Sequence, residues 1–348
     1  MKSWFVISVL FVFIIAGSLC LNGCKKNNST PFHTTRINFV VPTGFPQPVY
    51  NFQNNPTTEE GFQLGRKLFY EGRLSLDGNY PCSSCHQQVA AFTTYNHDRS
   101  HGYNHTHTLR NSPGINNLAW YSVYLQDGGS ASIEDIARNH ITNPMEMAET
   151  MDHVVNKLKD DTSYQRMFRA AFGDGNVTQD RILNALKQFV INMVSANSKY
   201  DKMLSGSSVF SSQEQNGYQV FKSKCNSCHA EPLFSDFSFR NTGLDLDPFL
   251  NDYGRMRITN KSADSLKFRV PSLRNLDLTS YYGHDGRFSI FRMMIDHYRT
   301  GIIQSTTLDP SLRNGITMTD VEENDLVEFL FTLSDSSYLT NPRYSNIP

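Results

Sequence analysis

Two pentapeptides carry the most specific chemistry in this chain. Cys82-Ser83-Ser84-Cys85-His86 and Cys225-Asn226-Ser227-Cys228-His229 share the form C-x-x-C-H. That form attaches a c-type haem: both thiols add to the porphyrin vinyl groups, and the adjacent histidine becomes the proximal iron ligand. The spacing is short because two sulfurs must reach opposite sides of one porphyrin edge while the next residue points at the metal. Two other readings compete. A structural zinc site would place its C-x-x-C units about 15–20 residues apart, and these lie much farther apart. A thioredoxin-like thiol pair needs a βαβ setting, which neither flank supplies. The pattern predicts two covalent haem c groups, on Cys82, Cys85 and His86 and on Cys225, Cys228 and His229.

The other two of the six cysteines, Cys20 and Cys24, belong to targeting. Met1 and Lys2 give a positive start and Trp4 to Ala16 is almost unbroken apolar sequence, as in a secretory signal peptide over 1–23. Leu21-Asn22-Gly23-Cys24 resembles the lipobox of bacterial lipoproteins, whose cysteine carries acyl chains. Residues 24–56, rich in Asn, Thr, Ser and Pro, read as a tether. No later apolar run is long enough to span a bilayer, so the expectation is a periplasmic protein that meets the membrane through a lipid anchor alone.

Composition agrees with a folded, exported redox protein. A length of 348 residues accommodates two ordinary domains, and 39% apolar with 19% charged residues excludes a disordered chain. A net charge of −1 gives no electrostatic footprint for nucleic acid.

The elements around the motifs repeat. Thr57 to Phe69 reads as a helix with Thr57 and Glu60 at its cap, and Gly61, Leu64, Gly65, Leu68 and Phe69 at helical spacing. Ser212 to Phe221 follows the same plan, with Ser212 and Gln215 at the cap and Gly217, Tyr218 and Phe221 behind. Each helix leads into its own C-x-x-C-H. Two apolar stripes lie between the motifs: Tyr164, Met167, Phe168 and Ala171, then Ile182, Ala185, Leu186, Phe189, Val190 and Met193. A last capped helix, Thr319 to Leu333, would bury Val321, Leu326, Val327 and Leu330. The fold class is mainly α. Two cytochrome c-like domains, 57–205 and 206–348, would each carry one haem near their interface, the boundary falling where Ser and Gly accumulate at Ser205 to Ser211.

Several motifs in order resemble the bacterial dihaem cytochrome c peroxidases, together with the related methylamine-utilisation dihaem enzymes. They are Gly72-Arg73-Leu74-Ser75, Leu109-Arg110-Asn111-Ser112-Pro113, Asn143-Pro144-Met145-Glu146-Met147, Val270-Pro271-Ser272-Leu273-Arg274-Asn275 and His284-Asp285-Gly286. The resemblance runs from about Thr57 to Leu333. It implies that the N-terminal haem reduces hydrogen peroxide and the C-terminal haem takes electrons from a small donor protein, a cytochrome c or a copper protein. Glu146 matches the distal acid, which would shuttle a proton between the two peroxide oxygens. His101, in a loop with His97, His105 and His107, stands near the distal histidine of the first haem, with His97 in reserve. Tyr298 stands where the peroxidases carry a methionine ligand to the second haem, and Met294 and His297 are close enough to compete. A calcium ion between the haems would take the Asn111 side chain and the backbone oxygens of Thr279 and Tyr281. A homodimer is left open.

Two positions depart from the pattern. Gln126, before Asp127 and Gly128, replaces a tryptophan between the haems, with Trp120, Tyr121 and Tyr124 near in sequence. His140 stands where proline is usual, beside the expected distal pocket. The tyrosine at 298 resembles the branch that matures a tryptophan-derived quinone. A dihaem oxidase acting on a protein side chain through high-valent iron is therefore the second expectation, and a non-enzymatic electron-transfer dihaem cytochrome the third.

Overall fold

The computed structural model describes residues 32–346; the expected signal peptide over 1–23 and the expected lipid attachment at Cys24 lie outside them. Helices dominate, and the one sheet among the described residues is a two-residue antiparallel ribbon pairing Phe239 with Arg269 and Arg240 with Phe268. Seven helices are long enough to set the architecture: α1 (Glu59–Phe69), α2 (Ile133–Thr142), α3 (Met151–Leu158), α4 (Thr162–Phe172), α5 (Gln179–Ile191), α6 (Ser212–Lys224) and α7 (Asp320–Phe331).

The repeat seen in the sequence is physical. α1 crosses α5 at Gly65, where a Cβ would meet the Ala185 carbonyl oxygen at 1.9 Å and the Phe189 Cβ at 2.9 Å. α6 crosses α7 at Gly217, where a Cβ would meet the Asp325 carbonyl oxygen at 1.8 Å and the Phe329 Cβ at 2.9 Å. Both crossings need glycine because backbone touches backbone. Beside each lies an aromatic core. The first holds Phe62, Phe69, Phe92, Trp120, Phe168 and Phe189; the second holds Tyr200, Phe221, Phe234, Phe329 and Leu330.

The helix starts shift slightly from expectation. α1 is capped by Thr58, not Thr57, because the Gln188 side chain accepts from both the Thr58 amide and its hydroxyl. Thr58 Oγ1 then accepts from the Gly61 amide. α6 is capped by a reciprocal Ser211–Glu214 box, one residue early, and Lys199 holds the same Glu214 carboxylate at 2.6 Å. α7 starts at the expected Thr319, boxed with Glu322. Val321 is not a core residue: it is 69% exposed, whereas Leu326, Val327 and Leu330 are buried. Position 321 falls in the first turn, one helical turn before the crossing point at Asp325.

The expected tether is folded from Thr34 onward. Arg36 bridges to Thr58, Phe39 stacks on Phe52 at 4.2 Å, Phe45 meets the Trp120 ring edge-on, and Trp120 Nε1 donates to the Pro46 carbonyl. The Asn, Thr and Pro content hid these aromatic side chains, whose apolar area outweighs the cost of ordering the segment. Tyr200 joins the second core ahead of the Ser-rich stretch. At the other end Tyr338 and Tyr344 return to the first core against Phe92, so the tail closes over the first half of the chain.

Candidate haem sites

Each C-x-x-C-H occupies a tight turn that projects its histidine inward. Residues Cys82–Cys85 form one helical turn, and the His86 amide donates back to the Cys82 carbonyl at 3.0 Å. In the second motif the His229 amide donates to the Cys225 carbonyl at the same distance. His86 Nδ1 lies 2.9 Å from the Phe92 carbonyl oxygen, and His229 Nδ1 lies 3.2 Å from that of Phe234 and 3.1 Å from that of Pro271. A carbonyl only accepts, so Nδ1 carries the proton in both rings and Nε2 keeps its lone pair. No hydrogen bond occupies either Nε2 among the described residues. Fixing one ring nitrogen so that the other can bind metal is how ligating histidines are usually held. Phe92 and Phe234 both have positive φ (61° and 55°), which turns their carbonyls back toward the rings.

All four thiols are free. Burial, and then the neighbouring thiol, push Cys82 and Cys225 up to about 12. Such thiols stay protonated and are poor redox nucleophiles, which disfavours a thioredoxin-like use. Burial pushes the His86 pKa down to about 4 and lowers that of His229, so both rings are neutral donors at neutral pH. Free thiols beside a neutral, oriented imidazole fit a covalent haem in both places.

Glu146 is presented by the turn that ends α2. Its amide donates to the Asn143 carbonyl, and its carboxylate accepts from Asn143 Nδ2 at 2.9 Å and from His140 Nδ1. The loop of histidines packs against this turn through its backbone. The Tyr103 amide donates to the Glu146 carbonyl at 2.7 Å, Thr106 Oγ1 donates to the Met145 carbonyl, and a Cβ on Gly102 would meet that carbonyl at 2.0 Å. Glu146 acts electrostatically on both Cys85 and His86, and His140 acts on His86, so all four groups belong to one pocket. The side chain of His101 is exposed, its ring 4.5 Å from those of His97 and His107, while its carbonyl lies 4.0 Å from Cys85 Sγ. No group of three His, Cys, Asp or Glu side chains among the described residues is arranged to hold a metal ion.

At the second site Tyr298 lies in a π-helical turn, His297–Gly301, that follows the α-helical turn Phe291–Asp296. A π turn widens the helix and redirects one side chain, a distortion found often at functional sites. Burial, and then the proximity of Cys225 and Cys228, raise the Tyr298 pKa. His297 is buried and its Nε2 engages the Thr242 carbonyl at 2.9 Å. Met294 is half-buried one turn earlier.

The two halves are clamped between the motifs. Arg110 holds Asp127 and Asp252 at 2.6 Å each and lies over the Phe268 ring, which stacks on His284 at 3.9 Å. Asn111 donates from Nδ2 to the Asp98 carbonyl, and its amide donates to the His284 carbonyl at 2.9 Å. This brings the Thr279–Gly286 segment against residues 96–111, with Tyr281 at φ 63° and the Thr279 carbonyl accepting from Tyr282 Oη. Gln126 Nε2 donates to the Asn111 carbonyl, whereas Gln126 Oε1 and Arg269 Nη1 are buried without a protein partner. Tyr121 packs under the Arg269 guanidinium at 4.4 Å and beside Phe237. Trp120 is core, not a member of this junction.

Sequence reasoning singled out Glu146 but not its partners. Asn143, three residues earlier, is the turn residue that fixes the carboxylate, and the Asn-x-x-Glu spacing was a signal for it. His140, noted only as a departure, turns out to hold the other carboxylate oxygen.

The comparisons with known proteins agree with this geometry. The sequence pattern of the family described as "Di-haem cytochrome c peroxidase" matches residues 59–209. The chain is 33% identical over 315 residues to the methylamine utilization protein MauG of Methylorubrum extorquens, covering 88% of this chain and 87% of that one. It is 34% identical over 236 residues to a cytochrome c551 peroxidase of Nitrosomonas europaea, covering 66% and 70%. Among solved structures it resembles a MauG-like protein associated with microbial copper homeostasis, with TM-score 0.80 and 32% identity over 89% of this chain and 99% of that chain. The chain belongs to the di-haem cytochrome c peroxidase and MauG family.

Proposed function

We propose that this chain reduces hydrogen peroxide to water at the His86 site, using electrons that a small donor protein delivers at the His229 site. The carrying observation is Glu146, held by Asn143 and His140 within electrostatic reach of Cys85 and His86. A haem in each pocket supplies a redox-active iron. The chain's own residues do the rest. Cys82 and Cys85, and Cys225 and Cys228, fix the two groups covalently. Phe92 and Phe234 hold the proximal rings in the metal-binding tautomer. Glu146 takes a proton from one peroxide oxygen and returns it to the other, which converts a poor leaving group into water. The Arg110 clamp and the α1–α5 and α6–α7 crossings keep the two pockets in register. In this reading Asn111, Thr279 and Tyr281 supply oxygen to a calcium ion at the junction, and Tyr298 closes the second haem. Residues 57–205 and 206–348 serve as peroxidatic and electron-receiving halves, in an exported chain anchored in the periplasm through Cys24.

A second reading, oxidation of a protein side chain in place of a donor cytochrome, is favoured by Tyr298 beside Cys225 and Cys228. Steady-state assays of the two-haem protein with peroxide and a reduced cytochrome or copper protein separate the two. Turnover is expected. Its absence, with peroxide consumed only when a protein substrate is present, would select the second reading.

A further inference from the structure

Reducing one peroxide consumes two electrons and two protons: H2O2 + 2 e− + 2 H+ gives two waters. The proton that Glu146 moves between the oxygens completes the first water without any net uptake. The second water needs two protons from outside, so the pocket must connect its acid to bulk water. Glu146 is poorly placed to do this alone. Its side chain is only 20% exposed, and both carboxylate oxygens are engaged, Oε1 by Asn143 and Oε2 by His140. Asn143 cannot titrate. His140 can, and its Nε2 makes no hydrogen bond among the described residues while Nδ1 holds the carboxylate.

We propose that His140 and Glu146 act as one proton-exchanging pair, with His140 as the positioning residue through which protons enter; the inference rests on the peroxide-reducing role of Glu146. Nε2 of the neutral ring takes a proton from water as Nδ1 gives its own to the carboxylate, the carboxylic acid passes it to the oxygen that becomes the second water, and tautomer exchange through water returns the ring to its starting form. No atom is left unbalanced, and the electrons are those of the donor protein. The backbone favours the arrangement. His140 lies in the last turn of α2, and the Met147 amide donates back to its carbonyl, so the turn bearing Glu146 folds over the histidine. Burial works to lower the His140 pKa, but the hydrogen bond and charge of Glu146 outweigh it and raise it. Glu146 acts electrostatically on Cys85 and His86, and His140 acts on His86. The loop packed against the turn contributes backbone and Thr106, and its His101, His105 and His107 are exposed. The proline usual here could hold neither the carboxylate nor a proton.

The test uses the holoprotein with both haems verified, as wild type, H140Q, H140A and E146Q. Two properties are followed from pH 5 to 9: the rate at which peroxide oxidises the reduced protein, and the optical and EPR spectra of the resting first haem. The amide of H140Q keeps a hydrogen bond to Glu146 but cannot titrate. On the pair's role, H140Q and H140A lose on the order of ten- to a hundredfold in rate and the wild-type pH dependence disappears. The spectral transition of the pocket disappears with it, and added imidazole restores part of the H140A rate. An H140Q protein with wild-type rate, pH profile and spectral titration overturns the inference. So does an H140A spectrum that has lost a nitrogen ligand, which would make His140 an iron ligand. Full activity in E146Q would instead overturn the peroxide-reducing role of Glu146, whatever the His140 variants do.

Discussion

His86 donates from Nδ1 to the carbonyl of Phe92 across 2.9 Å, and Phe92 reaches that position with a left-handed backbone. His229 and Phe234 repeat the relationship in the second half. Two proximal histidines oriented by the same device point to two haems attached in the same way. The prolines of the two shared motifs belong to it too, since the carbonyls of Pro113 and Pro271 act on the same two rings.

Replacing Cys82 and Cys85 together by alanine is expected to leave one covalent haem per chain. Mass spectrometry and pyridine haemochrome absorbance check this, with loss of one haem mass and about half of the absorbance. Replacing Cys225 and Cys228 should give the same count but remove the other spectral component.

The two helix crossings make a sharper structural prediction. Gly65→Ala and Gly217→Ala each drive a Cβ into a backbone carbonyl at under 2 Å, and backbone cannot move aside cheaply. Each should cost about 1–3 kcal/mol, the usual penalty of overpacking, as a lower midpoint of denaturant unfolding. The same substitution at Gly44, where a Cβ would meet nothing within 4 Å but φ is +83°, should cost only the backbone strain.

Arg110 neutralises two buried aspartates at once. Arg110→Met strands Asp127 and Asp252, and breaking a buried pair by removing one partner costs about 3–5 kcal/mol. Equilibrium unfolding of the holoprotein reads this loss. Because the clamp joins the two halves, the loss should appear in one shared transition and not as a separate early one.

Acid stability should depend on Asp201. Burial alone would raise its pKa, but two hydrogen bonds from the fully buried Arg274 outweigh this and lower it. The folded pKa is therefore below the unfolded value of about 3.9, so its stabilisation is complete above that pH. It is lost as pH falls through the folded pKa. Urea midpoints measured from pH 6 to 3 should fall less steeply below pH 4 in Asp201→Asn than in the wild type.

What the sequence disclosed followed from periodicity and spacing. The stripes Ile182 to Met193 and Tyr164 to Ala171, the glycine-bearing helices and the α7 cap are local patterns, and the structure keeps them. Other features depended on tertiary partners. Thr58 displaced Thr57 as a cap because Gln188, distant in sequence, reaches it. Phe39, Phe45 and Phe52 looked like parts of a tether until Trp120 gave them a surface. The π turn at Tyr298 interrupts the regular helical spacing that follows Met294, which no local pattern announces. The partnership of His140 with Glu146 was hidden because a histidine six residues from an acid is unremarkable until a helix end folds the chain back on itself.

The central claim is that Glu146 moves the proton that lets peroxide be reduced at the first site. Reduced two-haem protein mixed anaerobically with one equivalent of hydrogen peroxide, followed by stopped-flow absorbance, tests it most directly. The wild type should return to its oxidised spectrum with two electrons consumed per peroxide. Glu146→Gln, with both haems intact, should be slower by about 10²–10⁴. A Glu146→Gln protein that is oxidised as fast as the wild type would contradict the account.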